Sequence, residues 1–233
     1  MDTVPESRST STSVSVAAPP ATGSAATVVL LRDGELGVEV LLAERPSDRG
    51  SFAGAWVFPG GAVDDGDLHG TPRDGIDAAR RAAVREVAEE VGLVLAADEL
   101  VPFSRWTPPK GAPKQLTTTF FAVRVPDGEF RLAADEVVAV DWLRPADALE
   151  RHAAGELTLW PPTWVTLHGL AGVDSVDHAL TAFASGDMLE YVARRDDARR
   201  MVLWQEDDEV SGARGHRHRL LMDRLPWVYQ REF

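Results

Sequence analysis

WVFPGGAVDDGDLHGTPRDGIDAARRAAVREVAEEVGLVL, residues Trp56–Leu95, joins a glycine-rich loop to a segment carrying three glutamates. Ala78 to Val91 contains neither glycine nor proline and is rich in helix formers, which predicts a helix that stops at Gly92. At about 100° per residue, Glu86, Glu89 and Glu90 fall within an arc of roughly 100°, while Val84, Val87 and Val91 fall on another face. Carboxylates spaced three and four residues apart on one flank repel each other. A divalent cation would relieve that repulsion. Oxygen-rich carboxylate sets suit Mg²⁺ or Mn²⁺, and Mg²⁺ shares its shell with water and substrate phosphates. The helix alone is equally consistent with a solvated acidic face on which Arg85 pairs with Glu89.

The preceding loop tips that balance. Phe58-Pro59-Gly60-Gly61 closes a short apolar run, and a double glycine lets backbone approach a ligand or ion closely, including through a carbonyl oxygen. FPGG followed by REVAEEVGL resembles the box of the Nudix hydrolases: glycine, five residues, glutamate, seven residues, then REUxEExGU with U apolar. Gly61 matches the first glycine, and Arg85, Glu86, Val87, Glu89, Glu90, Gly92 and Leu93 match the second half. The glutamate position is occupied by Asp67, and seventeen residues separate it from Arg85. The insert, LHGTPRDGI (residues 68–76), contains two glycines and a proline and is expected to loop out before the helix. The resemblance implies that Asp67 supports the metal-binding glutamates by pairing with Arg85.

A box split in this way is similar to that of the coenzyme A diphosphatase-like branch of the Nudix hydrolases. LLAER upstream, SFAGAWVFPGG leading into the box and SRWTPPKGAPKQLTTTFFAV beyond it agree with that likeness. Leu41, Leu42, Arg45, Gly54 and Phe58 fit the branch's upstream signature; Ala43 and Pro46 replace its threonine and serine, and Arg49 sits one place early. The resemblance runs from about Ala25 to Gly172.

Composition limits the alternatives. A chain of 233 residues with 44% apolar content buries a substantial core without staples. It has no cysteine, consistent with a reducing cytoplasm and excluding disulfides and thiol chemistry. A net charge of −13 argues against a nucleic-acid polymer as partner, whereas a phosphorylated small molecule fits if metal ions and local cations screen it. No run of apolar residues is long enough for a membrane span or a secretory signal, so a soluble cytoplasmic protein is expected.

In chain order, residues 1–24 are rich in Ser, Thr, Ala and Pro and are expected to be disordered. ATVVLLR and GVEVLLAER read as a hairpin about Asp33-Gly34, and AWVFPGG as a short strand. LVPFSRW, TTTFFAVRV and VVAVDWL read as three further strands, and PADALERHAAG as a helix opened by proline and closed by glycine. This mixture predicts an α/β fold, the Nudix-type α/β/α sandwich with a mixed sheet that the resemblance also implies, over residues 25–160. Residues 161–233 read as a helical and β-hairpin extension, a lid or homodimer surface, in which His216 and His218 are expected to face solvent.

Further site residues complete the expectation. The resemblance implies that a loop carboxylate ahead of a tryptophan-bearing strand reaches the metal site, and Glu136 precedes Trp142; an ordinary acidic turn is the alternative. Arg45, Arg105, Lys110 and Lys114 are candidates for gripping substrate phosphates, and Trp106 for stacking on adenine. The resulting reading is a Mg²⁺- or Mn²⁺-dependent diphosphatase. Gly61, Glu86, Glu89 and Glu90 hold metal, Glu86 or Glu136 takes the proton from water, and Arg85 steadies the carboxylates. Coenzyme A or its thioesters are the expected substrates. ADP-ribose, a dinucleotide or a nucleoside triphosphate is the alternative, as is a nucleotide sensor without turnover.

Overall fold

In the computed structural model, residues 23–48, 52–112 and 114–233 are described. The expectation of an N-terminal disordered segment lies outside them, except at Gly23 and Ser24, which belong to the first strand; Arg49 also lies outside. β1 (Gly23–Gly34) and β2 (Gly37–Glu44) form the expected hairpin, paired from Leu31 with Val40 to Gly34 with Gly37. The turn therefore falls at Glu35-Leu36, two residues beyond the one expected from sequence.

β1 explains why the fold has two cores. Side chains alternate across a strand: Val28 and Leu30 enter one apolar cluster, while Val29 and Leu31 enter another. A strand buried on both faces reads as a continuous apolar run, as TVVLL does. After β3 (Trp56–Val57), β4 (Gly60–Ala62) and a single 3₁₀ turn (Asp65–Asp67) comes the long helix α1 (Ile76–Val91). Ala78, Ala79, Ala82, Ala83, Val87 and Val91 lie buried along it, packed over Val28, Leu30, Phe121 and Val123. Small alanines allow close approach to the sheet. The helix ends as expected, with Gly92 left-handed (φ 79°) and its amide donating to Ala88 O.

β5 (Val101–Thr107), β6 (Leu116–Arg124) and β7 (Ala139–Leu143) follow, then α2 (Pro145–Ala153), α3 (Pro161–Leu170) and α4 (Val176–Ser185). The main sheet runs β3-β2-β1-β6-β5-β8, with β4 also paired to β1 and β7 to β2. β1 and β6 are parallel, as are β5 and β8, and the remaining pairs are antiparallel, so the sheet is mixed. α1 covers one face and α2 to α4 the other, giving the α/β/α sandwich.

The C-terminal segment is built into this body. β8 (Leu189–Val192) adds a strand to the main sheet beside β5. β9 (Arg194–Asp196), β10 (Met201–Leu203), the short α5 (Asp208–Ser211), β11 (Arg217–Leu221) and β12 (Val228–Glu232) follow. β9 to β12 form a second, antiparallel sheet. Val202, Trp204 and Leu220 from that sheet share one apolar cluster with Val29, Leu31 and Phe120. β4, β8 and β9 were not expected from sequence, because strands of three or four residues leave no countable alternation.

Trp204 is fully buried, with ring contacts to Trp106 (6.0 Å), Tyr191 (5.6 Å) and Tyr229 (5.7 Å). Trp204→Ala should cost about 3–5 kcal/mol. Denaturant unfolding is expected to show one transition with a lowered midpoint and an unchanged slope. A separate early transition would mean that the second sheet unfolds independently.

Candidate functional site

The glycine loop and α1 meet at atomic contact. Gly60 has φ 152°, and a β-carbon there would collide with the Ala26 carbonyl oxygen and come within 2.7 Å of the Thr27 α-carbon. Val28 N donates to Pro59 O at 2.9 Å, locking the loop to β1. A β-carbon on Gly61 would instead collide with the Glu86 carboxylate, which lies against the bare backbone. Both glycines are required by close approach, one to β1 and the other to an acid on α1.

Glu90 is the deepest member of the acidic set, 1% exposed. Its Oε2 accepts from Gly60 N at 2.9 Å, and its Oε1 lies 2.8 Å from Arg45 Nη2. That second contact is an ion pair without hydrogen-bond alignment, and Oε1 has no hydrogen-bond partner among the described residues. Arg45 also donates to Gly60 O at 3.1 Å and lies 3.7 Å from Glu136. Burial pushes the Glu90 carboxyl from an ordinary 4.5 up to about 7, against the pull of Arg45 and the Gly60 amide. Burial also raises Glu86, with Arg85 opposing it.

Arg85 ties the other carboxylates together. It donates from Nε to Asp67 Oδ1 (3.2 Å) and from Nη2 to Asp67 Oδ2 (2.9 Å), from Nη1 to Glu86 (2.9 Å) and Glu89 (2.8 Å), and from Nη2 to Ala62 O (2.9 Å). Asp67 is buried; desolvation would raise its pKa, but hydrogen bonds from Arg85 and the Asp64 amide outweigh it and hold the carboxyl below its usual value. The insert is pinned nearby: Arg81 donates to Asp67 O and Leu68 O, and Arg73 to Val63 O and Asp65.

The glycine loop, Arg45 and Glu136 border a cleft of about 1000 Å³ between the main sheet and the C-terminal segment. Gly60, Gly61, Arg45 and Glu136 line one part, Lys114 and Trp106 another. Phe52 and Trp160, in edge contact at 4.7 Å, line it as well.

A family model described as the NUDIX domain matches residues 21–161. The chain belongs to the Nudix family. A solved Nudix hydrolase from Alicyclobacillus acidocaldarius is 26% identical, with a TM-score of 0.62, covering 71% of this chain and 98% of its own. A MutT Nudix hydrolase from Burkholderia pseudomallei is 24% identical, with a TM-score of 0.48, covering 63% and 95%. The Nudix domain of Shewanella oneidensis NrtR, solved with ADP ribose, is 18% identical, with a TM-score of 0.49, covering 64% and 86%. No curated protein matches the chain. The protein is a Nudix hydrolase, in a family whose hydrolases generally use divalent metals.

Within the Nudix fold the expected site residues divide. Gly61, Asp67, Arg85, Glu86, Glu89, Glu90, Glu136 and Arg45 come together. Arg105 does not: strand alternation turns it away from Trp106, and it donates to Asp74 O (3.2 Å) in a separate small cleft. Lys110 is exposed and does not line the large cleft. Trp106 lines the cleft but is 6% exposed, with one face of its ring covered by Tyr191 at 3.8 Å. His218 corrects the expectation of a solvent-facing pair. It is 2% exposed, within 2.6 Å of Glu206 and 2.9 Å of Tyr229, and only His216 is exposed. Asp207, Asp208 and Glu209 also cluster, but Arg219 pairs with all three, making a structural ion network. Arg195 and Arg200 line the large cleft and were missed, since no motif marks them.

Glu90 sets a pH dependence of stability. The folded state holds its proton more tightly than the unfolded chain, so this group's contribution is greatest when protonated and declines as pH rises from 4.5 to about 7. Without metal, Glu90→Gln should gain melting temperature relative to the parent as pH goes from about 5 to about 7.5. A constant difference in scanning calorimetry would contradict a buried, high-pKa Glu90.

Proposed function

We propose that the protein is a Mg²⁺- or Mn²⁺-dependent hydrolase that cleaves the diphosphate of coenzyme A or an acyl-coenzyme A. The products are adenosine 3′,5′-bisphosphate and (acyl-)phosphopantetheine. The observation that carries the reaction class is the meeting of Glu86 and Glu90 with the Gly60-Gly61 backbone at the edge of the cleft.

The residues present fit a divalent ion. Glu90 Oε1 is buried without a hydrogen-bond partner among the described residues, and the Glu86 and Glu90 carboxyls both have raised pKa values that a cation would offset. Glu86, Glu89, Glu90 and the Gly61 carbonyl would hold the metal. When bound, it neutralises diphosphate oxygens and acidifies water. Arg85 positions Glu86 and Glu89 by fixing both to one guanidinium, and Asp67 fixes that guanidinium in turn. Glu136 is the better placed base. Its carboxylate is 54% exposed and, among the described residues, its one ion pair is the 3.7 Å contact to Arg45, whereas Glu86 is paired to Arg85.

The likeness of LLAER, SFAGAWVFPGG and SRWTPPKGAPKQLTTTFFAV to the coenzyme A branch favours that substrate. The cleft volume supports it, since about 1000 Å³ is at the upper end for a small-molecule site and leaves room for a long arm beyond a nucleotide. Arg45, which lines the cleft beside Gly60, is the proposed contact to the diphosphate.

Product analysis with Mg²⁺ or Mn²⁺ tests this on separate samples of coenzyme A, acetyl-coenzyme A, ADP-ribose, NADH and a nucleoside triphosphate. Adenosine 3′,5′-bisphosphate should appear from the coenzyme A samples, and Glu90→Gln should lower turnover on the order of 100-fold or more. Cleavage of only another compound moves the substrate assignment. Nucleotide binding without any turnover makes the protein a sensor.

Gly61→Ala separates site geometry from folding. The new methyl meets the end of a flexible glutamate, so it should displace the Glu86 carboxylate and lower turnover by about tenfold or more with little change in melting temperature. Gly60→Ala meets backbone and should unfold the protein at lower denaturant.

A further inference from the structure

The C-terminal segment supplies a wall of the same cleft and brings cations to it. β8 runs parallel to β5 up to the pairing of Thr107 with Val192, and Ala193 N then donates to Thr107 O at 3.0 Å. From that point the two chains diverge: one enters the loop bearing Lys114, the other enters β9 and the turn to Arg200. Lys114, Arg195 and Arg200 all line the cleft. Arg195 is paired with Asp197 at 2.6 Å, and the neighbouring Asp196 with Arg199. Lys114 and Arg200 make no side-chain hydrogen bond or ion pair among the described residues.

Arg200 also occupies a backbone conformation that glycine or asparagine would accept more readily, with φ 49°. Its carbonyl accepts from Met222 N at 2.9 Å, which anchors the turn to the second sheet. A protein of net charge −13 thus has, on two segments that line one cleft, two cations without a partner among the described residues, one of them at a strained position.

We propose that Lys114 and Arg200 form an anion clamp for a second phosphate on the substrate, remote from the diphosphate that is cleaved. The substrate class is a nucleoside diphosphate bearing an additional phosphate monoester. This rests on the proposed hydrolysis at the Glu86–Glu90 site but concerns separate residues. The clamp selects substrate, and removing it leaves the carboxylate site intact.

Calorimetric titration of the full chain with adenosine 3′,5′-bisphosphate and with adenosine 5′-monophosphate tests the clamp without metal or turnover. The parent should bind the bisphosphate roughly tenfold more tightly, as expected for a charge-assisted contact. The preference should shrink as salt is raised. Lys114→Ala and Arg200→Gly should each narrow the difference, and together abolish it, with the monophosphate affinity unchanged. Glycine relieves the positive φ, so Arg200→Gly should melt within about 2 °C of the parent.

The kinetic counterpart compares coenzyme A with 3′-dephospho-coenzyme A, which share the diphosphate and differ in the remote phosphate. kcat/KM should favour coenzyme A in the parent and be equal in the double variant. Equal nucleotide affinities in the parent, binding of neither nucleotide, or a preference that survives the double substitution would overturn the clamp. Equal cleavage of the two coenzymes by the parent would overturn it while leaving the proposed hydrolysis standing. A bisphosphate preference lost in the double variant, with neither coenzyme cleaved, would support the clamp and remove the proposed substrate.

Discussion

A carboxylate with almost no solvent contact ties together three pieces of the Nudix domain. Glu90 reaches from α1 to the Gly60 amide and to Arg45, joining the helix, the glycine loop and the end of β2. A buried charge is costly unless it is compensated, and the raised pKa shows that Arg45 and one amide do not compensate it fully. The fold therefore keeps an electrostatic deficit at one location. Gly60 and Gly61 remain bare because β1 and Glu86 occupy the space where their side chains would be.

The local parts of this arrangement were legible in the sequence. The 3.6-residue pattern of α1, the FPGG loop and the REVAEEVGL run specify a helix, a close approach and an acid set, and each depends on neighbours in the chain. Periodicity did not show how differently the acids are buried: Glu90 is enclosed, Glu86 nearly so, and Glu89 is largely exposed. That gradient follows the contact of β4 with one side of the helix, where Gly60 bonds Glu90 and Gly61 abuts Glu86. The expectation for Arg105 failed because adjacent residues of a strand face opposite ways. Sequence also did not show that Tyr191, far along the chain, covers one face of the Trp106 ring.

The less legible half is the C-terminal segment. Its helix α3 announces itself through a proline start and α4 through the Ser175 cap and apolar content, but β8 and β9 are too short to show a pattern. Nothing local in LEYV states that it will lie beside β5. The decision is made by Trp204, Tyr191 and Trp106, which pack edge and face against one another and close the second core. His218 is drawn in by the same packing and satisfied by Glu206 and Tyr229, which makes it a structural histidine.

The parallel pairing of Ser104 with Leu189 also bears on how the chain reaches this state. One face of the central sheet lacks part of its covering until residues near Trp204 and Leu220 arrive. During synthesis from the N-terminus, the α1 face can condense once the chain up to about Trp142 is made, while the opposite face waits with its aromatics open to water. Long loop closures of this kind slow folding and lengthen the time during which apolar surface is available for aggregation. The segment that walls the cleft thus also determines when the whole chain becomes safe from self-association.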